Sequence, residues 1–317
     1  MMGLFVGDSA GSTLEFYKGI ITNDVVKNAM HSPGGGSLNV APGQVTDDSE
    51  LAMSLFKALH HSIDTNIFPI EKIAEYYIKW YNSNPFDIGM TCGRAFGFAK
   101  SADDLIANAK KYNMGSEANG SLMRIAPLAI WARKLSTSKI VSFARQEASL
   151  SHPNRICQDV NAVYCVTLVW LLNNPGDYKG AIQQAQNIME IENIDPIVQD
   201  WFSLSNDSLD NIEAKINIGH VRHAFILAFH FLRNNVGYEE AIFETLKKGG
   251  DTDTNACIVG ALIGALHGYD SIPQYMTKNI LSFDCKSHDP RKTLHGYKRP
   301  SRYCVATTMY KINILID

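Results

Sequence analysis

The sequence predicts an all-α fold. Three observations carry that expectation. Apolar residues recur at helical spacing through most of the 317 residues, alternating β-type runs are scarce, and glycine and proline breakers fall between the periodic stretches. In chain order, GLFVGDSAGSTLEF comes first, with Gly3, Gly7, Gly11 and Glu15 spaced by four, so that on a helix they share one face. LAMSLFKALHH then aligns Leu51, Leu55 and Leu59, with Ala52 and Phe56 beside them. Segments 71–82, 121–133, 139–149, 158–172, 178–190 and 221–234 read as amphipathic or buried helices. The breakers are PGGG at 33–36, PG at 42–43, NP at 84–85, HP at 152–153 and NPG at 174–176. Towards the end, ACIVGALIGALHG repeats the spacing of four through Ala256, Gly260, Gly264 and Gly268, with Ala261 and Ala265 in the adjacent row. Each helical glycine costs about 1 kcal/mol relative to alanine. Close approach of another backbone would offset that cost, and the glycine-faced first helix is a candidate partner.

Composition bounds the function. Hydrophobic residues make up 45% and charged residues 19%, an ordinary globular balance. A net charge of −3 and a pI near 6.4 argue against broad nucleic-acid binding. An anionic ligand would have to be held by local groups or by metal. Cys92, Cys157, Cys165, Cys257, Cys285 and Cys304 show neither CxxC pairs nor zinc spacing, which fits a reducing compartment better than a disulfide framework. The start MMGLFVGDSAG lacks a basic n-region and carries Asp8 early, unlike a signal peptide. No apolar run reaches the ~18 residues of a membrane span. A soluble, intracellular monomer is expected. No linker or repeat divides the chain, so the expected domain is 1–285. Residues 286–317 form a basic, polar C-terminal extension packed on it or trailing from it. KSHDPRKTLHGYKRPSR, 286–302, is expected to face water, as charge runs usually do.

Six short constellations carry possible chemistry. In the first motif Asp8 and Glu15 lie two turns apart, and an acid at the end of a glycine face suggests a carboxylate aimed into a cleft. Thr46, Asp47, Asp48 and Ser49 precede the 51–61 helix. A helix cap needs only one such side chain, and four consecutive oxygen donors also suit Mg²⁺. Gly249-Gly250-Asp251-Thr252-Asp253-Thr254-Asn255 combines a sharp turn with two acids one residue apart. If the two acidic clusters meet, uncompensated carboxylates repel, and two divalent ions would resolve that repulsion. Pro85-Phe86-Asp87-Ile88-Gly89 and Glu117-Ala118-Asn119-Gly120-Ser121-Leu122-Met123-Arg124 are loop-like, and an Asn-Gly helix start offers backbone N–H groups to phosphate. Arg124 could reinforce that cradle or pair with an acid. Ser151-His152-Pro153 alone means little.

In their order and wording these motifs resemble the ADP-ribosylglycohydrolase family: GDxxGxxxE, TDD, DIG, NGxxMR, SH and GGDTDTN, together spanning residues 3–268. GGDTDTN together with TDD is highly specific. Ser49 stands where the family usually has a second threonine, keeping the hydroxyl. The resemblance implies a compact single-domain bundle of many helices with two Mg²⁺, or Mn²⁺, held by Thr46, Asp47, Asp48, Asp251, Asp253 and Thr254. It also implies a catalytic or gating role for Glu15. Gly89, Asn119, Gly120, Ser121 and Met123 would hold diphosphate and ribose, with His152 nearby. The expected reaction is hydrolysis of the N- or O-glycosidic bond between ADP-ribose and a protein side chain or small ADP-ribosyl compound, through an oxocarbenium-like transition state. Glu15 or Asp87 would handle protons. The competing readings are a metal-dependent nucleotide phosphoesterase and a catalytically silent ADP-ribose-binding or structural member.

Overall fold

The computed structural model describes residues 1–62, 67–289 and 295–316, with side chains through residue 312. The helices are α1 (Met2–Gly11), α2 (Asn23–Ala29), α3 (Asp47–His60), α4 (Ile70–Tyr81), α5 (Met90–Phe96), α6 (Ala102–Tyr112), α7 (Ala126–Ala132) and α8 (Thr137–Ser149). They continue as α9 (Arg155–Asn173), α10 (Tyr178–Ile191), α11 (Pro196–Leu204), α12 (Val221–Arg233), α13 (Tyr238–Lys248), α14 (Thr252–His267), α15 (Gln274–Ser282) and α16 (Val305–Ile316). Among the described residues the only β-pairing is two isolated bridges, Gly35 with Val40 and Ala118 with His220. The all-α expectation is met by one compact domain.

Several helix starts are set by local chemistry. Ser101, Asn154, Asp177 and Asp195 each accept a backbone N–H of the first turn of α6, α9, α10 and α11. Two expected boundaries moved. The helix expected over 121–133 begins only at Ala126, because Pro127 is tolerated in a first turn but not in a helix interior. The first helix ends at Gly11, so Glu15 lies in the turns beyond it, with Leu14 and Glu15 both donating to the Gly11 carbonyl. Gly268 belongs to no packing face; it stops α14 at φ 81°.

α1 and α14 form the central seam and run antiparallel. A Cβ on Gly3 would stand 2.2 Å from the Gly260 carbonyl oxygen, one on Gly7 2.0 Å from that of Ala256, and one on Gly11 2.4 Å from the Cα of Asp253. The two glycine faces therefore do meet, with main chain against main chain. The seam is tied at one end by the Tyr238 hydroxyl donating to the Gly3 carbonyl at 2.7 Å, and at the other by Thr252 Oγ1 donating to the Gly11 carbonyl at 2.8 Å. By length and composition α9 could cross a membrane, but 78% of its apolar window is buried inside the protein.

The C-terminal segment departs from the sequence expectation. Lys286 and Ser287 are exposed, but Arg299 is 4% and Tyr303 3% exposed, because a buried carboxylate and several carbonyls receive the arginine. Residues 290–294 of the basic run lie outside the described residues. Cys285 and Cys304, which the sequence spacing does not pair, form a disulfide with Cα atoms 5.8 Å apart. The other four cysteines are buried free thiols.

Candidate metal centre

The chemistry-bearing residues gather where the C-terminal end of α1 meets the N-terminal ends of α3 and α14. At neither helix does the N-cap side chain serve as a cap: neither Thr46 nor Asp251 accepts a first-turn N–H. Of the four aspartates there only Asp253 takes a first-turn N–H of its own helix, so capping leaves Asp47, Asp48 and Asp251 unaccounted for.

At α3 the cap comes from another helix. Asp8, fully buried on α1, accepts the backbone N–H groups of Thr46 and Ser49, each at 3.1 Å, the Thr46 hydroxyl at 2.9 Å, and the Ser49 hydroxyl. Those are the two N–H groups that a capping box satisfies from within a helix. With Asp8 in that role, the carboxylates of Asp47 and Asp48 are released for the site. Thr46 Oγ1 also donates to Asp48 Oδ2 at 2.9 Å. Sequence pattern assigns Asp8 no role, although a lone acid inside an apolar, glycine-faced helix is a signal for one. Ser49 spends its hydroxyl on Asp8.

At α14, the turn at Gly249 and Gly250, both at positive φ (70° and 77°), brings the chain into the helix. A Cβ on Gly250 would stand 2.0 Å from the Ala214 carbonyl oxygen, so no other residue fits. Asp251 Oδ2 accepts from Asn119 Nδ2 at 2.7 Å. Thr254 donates its N–H to Asp253 Oδ1 at 3.0 Å.

The two acidic clusters, some 200 residues apart in sequence, lie within electrostatic reach of each other. Burial, then the charges of Asp8 and Asp251, push the Asp48 carboxyl well above its usual range. Burial, then Glu15, Asp251, Asp48 and Asp87, do the same to Asp253. Asp47 is raised by burial and then by Asp87 and Asp48. Glu15 is pushed up to about 8 by burial, then by Asp87 and Asp251. Asp87 is raised by burial as well, against a hydrogen bond with Asp47 that lowers it. One carboxylate oxygen each from Glu15, Asp87 and Asp253 lie within 4.8 Å of one another. That trio joins an expected ligand to the two expected catalytic acids, so the geometry draws no line between the two roles. Glu15 Oε2 and Asp48 Oδ1 are buried and lack a hydrogen-bond partner among the described residues. Crowded, oxygen-only, partly orphaned donors fit hard divalent cations such as Mg²⁺ and Mn²⁺.

The expected substrate loops surround this cradle, but many of their polar groups are already engaged. Gly89 donates its N–H to Asp47 Oδ2 at 3.3 Å, and Asn119 donates its own to the Gly219 carbonyl at 2.9 Å. The Ser121 hydroxyl is buried and accepts from Asn161. Met123 lies in the core. His152 is fully buried, its Nδ1 against the Ser151 hydroxyl and its Nε2 without a partner among the described residues. A Cβ on Gly120 would meet that ring at 3.1 Å. Arg124 is fully buried, pairs with Glu147 at 2.7 Å, and donates to the Gly120 carbonyl at 3.2 Å, so it supports the loop from beneath.

Fold and site together define an all-helical protein built around a buried carboxylate cradle at the meeting of three helix ends. Residues 1–298 match the ADP-ribosylglycohydrolase family. A protein named as an ADP-ribosyl glycohydrolase in Acanthamoeba polyphaga mimivirus is 32% identical over 89% of each chain. The ADP-ribosyl-[dinitrogen reductase] glycohydrolase of Rhodospirillum rubrum is 26% identical over 86% of this chain and 85% of its own. A solved ADP-ribosylglycohydrolase-related protein complex superimposes with a TM-score of 0.71 at 21% identity, covering 98% of this chain and 95% of that one. The chain belongs to the ADP-ribosylglycohydrolase family, a family of hydrolases.

Proposed function

We propose that this chain hydrolyses the glycosidic bond joining ADP-ribose to an acceptor, with two Mg²⁺ ions held by Thr46, Asp47, Asp48, Asp251, Asp253 and Thr254, and with Mn²⁺ able to replace Mg²⁺. The observation that supports this most is the convergence of the two acidic clusters with Glu15 and Asp87, all of whose shifted carboxyls are pushed towards protonation by burial and by one another. When bound, the ions supply the positive charge that lets these carboxylates ionise together, and Lewis acidity at the ribose. The rest is the work of the chain. Asp8 holds Thr46 and, through it, the start of α3. Asn119 fixes one Asp251 oxygen by donating to it. Water adds to the anomeric carbon as the acceptor leaves with a proton, and Glu15 or Asp87, which lie together with Asp253, would carry protons between them. The Asp87–Gly89 and Asn119–Ser121 loops would take the diphosphate and ribose, with His152 packed behind Gly120. The acceptor is an ADP-ribosylated protein side chain or a small ADP-ribosyl compound.

The test is release of ADP-ribose from mono-ADP-ribosylated arginine and serine peptides. EDTA should abolish it, Mg²⁺ or Mn²⁺ should restore it, and Asp253→Asn should lower it by on the order of 10³-fold with the helical spectrum intact. Wild-type turnover by Asp253→Asn, with unchanged metal dependence, would show that these acids serve only the fold.

A further inference from the structure

The basic C-terminal segment, which the hydrolytic site leaves unused, grips the loop that carries Asp87. That loop, residues 83–89, joins α4 to α5 and includes Asn84 in the left-handed region at φ 54°. From inside, it meets the metal cradle through the Gly89 N–H and the Asp47 carboxylate. From outside, Arg299 holds its first two residues. Arg299 Nη1 donates to the Ser83 and Asn84 carbonyls at 2.9 and 3.1 Å, and Nη2 to the Ser83 hydroxyl at 2.9 Å. The same guanidinium forks over Glu50, with Nε and Nη2 at 2.8 and 2.7 Å from its two oxygens. Two residues earlier, Tyr297 stacks on Phe86, the neighbour of Asp87, with ring centres 4.2 Å apart and planes 3° from parallel.

Glu50 stands on α3 one turn after Asp47. The arginine therefore ties the Asp87 loop to the helix that carries Asp47 and Asp48. The segment is itself anchored: Gln44 bonds both the N–H and the carbonyl of Tyr297 at 2.9 Å, Arg299 donates its N–H to the Cys285 carbonyl at 2.9 Å, and the Cys285–Cys304 disulfide closes the stretch. Arg299 lies just past the end of the family match at residue 298. A buried ion pair is a weak source of stability, since well-packed apolar side chains often replace one without loss. Its planar fork is a good device for fixing geometry.

We infer that Arg299 and Tyr297 are positioning residues for the hydrolytic reaction, holding the 83–89 loop so that the Asp87 carboxyl meets Asp47 and the Glu15–Asp253 pair. This rests on the reading that Asp87 serves that site. The experiment uses the full chain loaded with Mg²⁺ and three variants: Tyr297→Leu, Arg299→Met, and Glu50→Gln/Arg299→Met, in which no buried carboxylate is left unpaired. Amide hydrogen exchange across 83–89 and the kcat and KM for an ADP-ribosylated peptide are measured together. Exchange in the loop should rise in each variant while α1 and α14 stay protected. In the Arg299 variants kcat should fall on the order of 10²-fold, as expected for a misplaced reacting group, with KM little changed. Tyr297→Leu, which leaves the ion pair in place, should show the same pattern in weaker form. Faster loop exchange with unchanged kcat would overturn the inference, and so would exchange that rises equally in α1 and α14. If wild-type protein releases no ADP-ribose, the proposed reaction fails, while the exchange data still report whether the segment holds the loop.

Discussion

The two helices that bring aspartates to the cradle are held in opposite ways. α14 is set by main chain lying on main chain along the glycine seam, with Asp253 Cα itself in contact with α1. α3 is set by side chains that reach from elsewhere: Asp8 from α1 at its first turn and Arg299 from the C-terminal segment at Glu50. A seam without side chains has nothing to rearrange, so it tolerates no added atom. A side-chain attachment can be weakened by degrees and can respond to charge. The α14 half of the site should therefore behave as a fixed wall and the α3 half as an adjustable one.

The largest effect should follow from thickening the wall. Gly7→Ala puts a methyl 2.0 Å from the Ala256 carbonyl oxygen, where only a backbone shift can relieve it. We expect a loss of about 3 kcal/mol or more in chemical denaturation, with any folded fraction inactive because Asp253 moves with α14. Full stability in this variant would mean that the seam is looser than the contacts state. Asp8→Asn should do less. The amide keeps one acceptor but turns an NH₂ towards donors that Asp8 now accepts, so the first turn of α3 loses part of its cap. A drop of about 1–2 kcal/mol is expected, together with weaker Mg²⁺ stabilisation in thermal melts. Equal metal response in Asp8→Asn and wild type would break the link between that cap and the cradle.

The smallest effect is a pH dependence confined to the α3 side. Lys57, on α3, is pushed down to about 7 by burial and then by Lys311 and Arg302, against the pull of Glu50. Its Nζ donates to the Arg302 carbonyl. A lysine lowered in the folded state is protonated more in the unfolded chain between about 7 and its ordinary 10.5. The Lys57 contribution to stability should therefore rise with pH across that window, read as the difference between wild type and Lys57→Met with Mg²⁺ present. A contribution of about 1 kcal/mol corresponds to roughly 2 °C in melting temperature between pH 7 and 9 for a chain of this size. Lys57→Met should flatten the slope, and a slope that persists in that variant would place its source elsewhere.

Much of this was readable from local pattern. Helical spacing announces most of the helices, and the two glycine faces announce a close packing that the structure contains. The acidic motifs at 46–48 and 251–254 stand out because they offer more oxygen donors than a cap can use. What the sequence hid is of one kind: pairings between residues far apart in the chain. Nothing near Arg299 says that its carboxylate lies 249 positions earlier. Its charged neighbours suggested water instead. Asp8 was visible as an acid in an apolar helix, but its partners lie 38 and 41 positions away. Periodicity runs on across Pro127, whose ring admits only a helix start, so the helix expected from 121 begins at Ala126; the first helix likewise ends at Gly11, one turn short of Glu15.

The seam has one further consequence. Gly3, Gly7 and Gly11 now face Gly260, Ala256 and the Thr252–Asp253 linkage, yet α14 continues the small-residue pattern to Gly264. Sliding α14 by four residues, about 6 Å along its axis, would set Gly264, Gly260 and Ala256 against the same three glycines and mesh almost as well. The small residues thus permit intimacy at more than one position and do not choose among them. The choice falls to groups that meet α14 itself, Thr252 Oγ1 on the Gly11 carbonyl and the Tyr164 hydroxyl on the Ile258 carbonyl, each meeting its oxygen in a single alignment. They act as detents on a sliding scale. One notch of slip would carry Asp253 about 6 Å out of the cradle, and it would also pull Ile258, Leu262 and Leu266 from their places in the core.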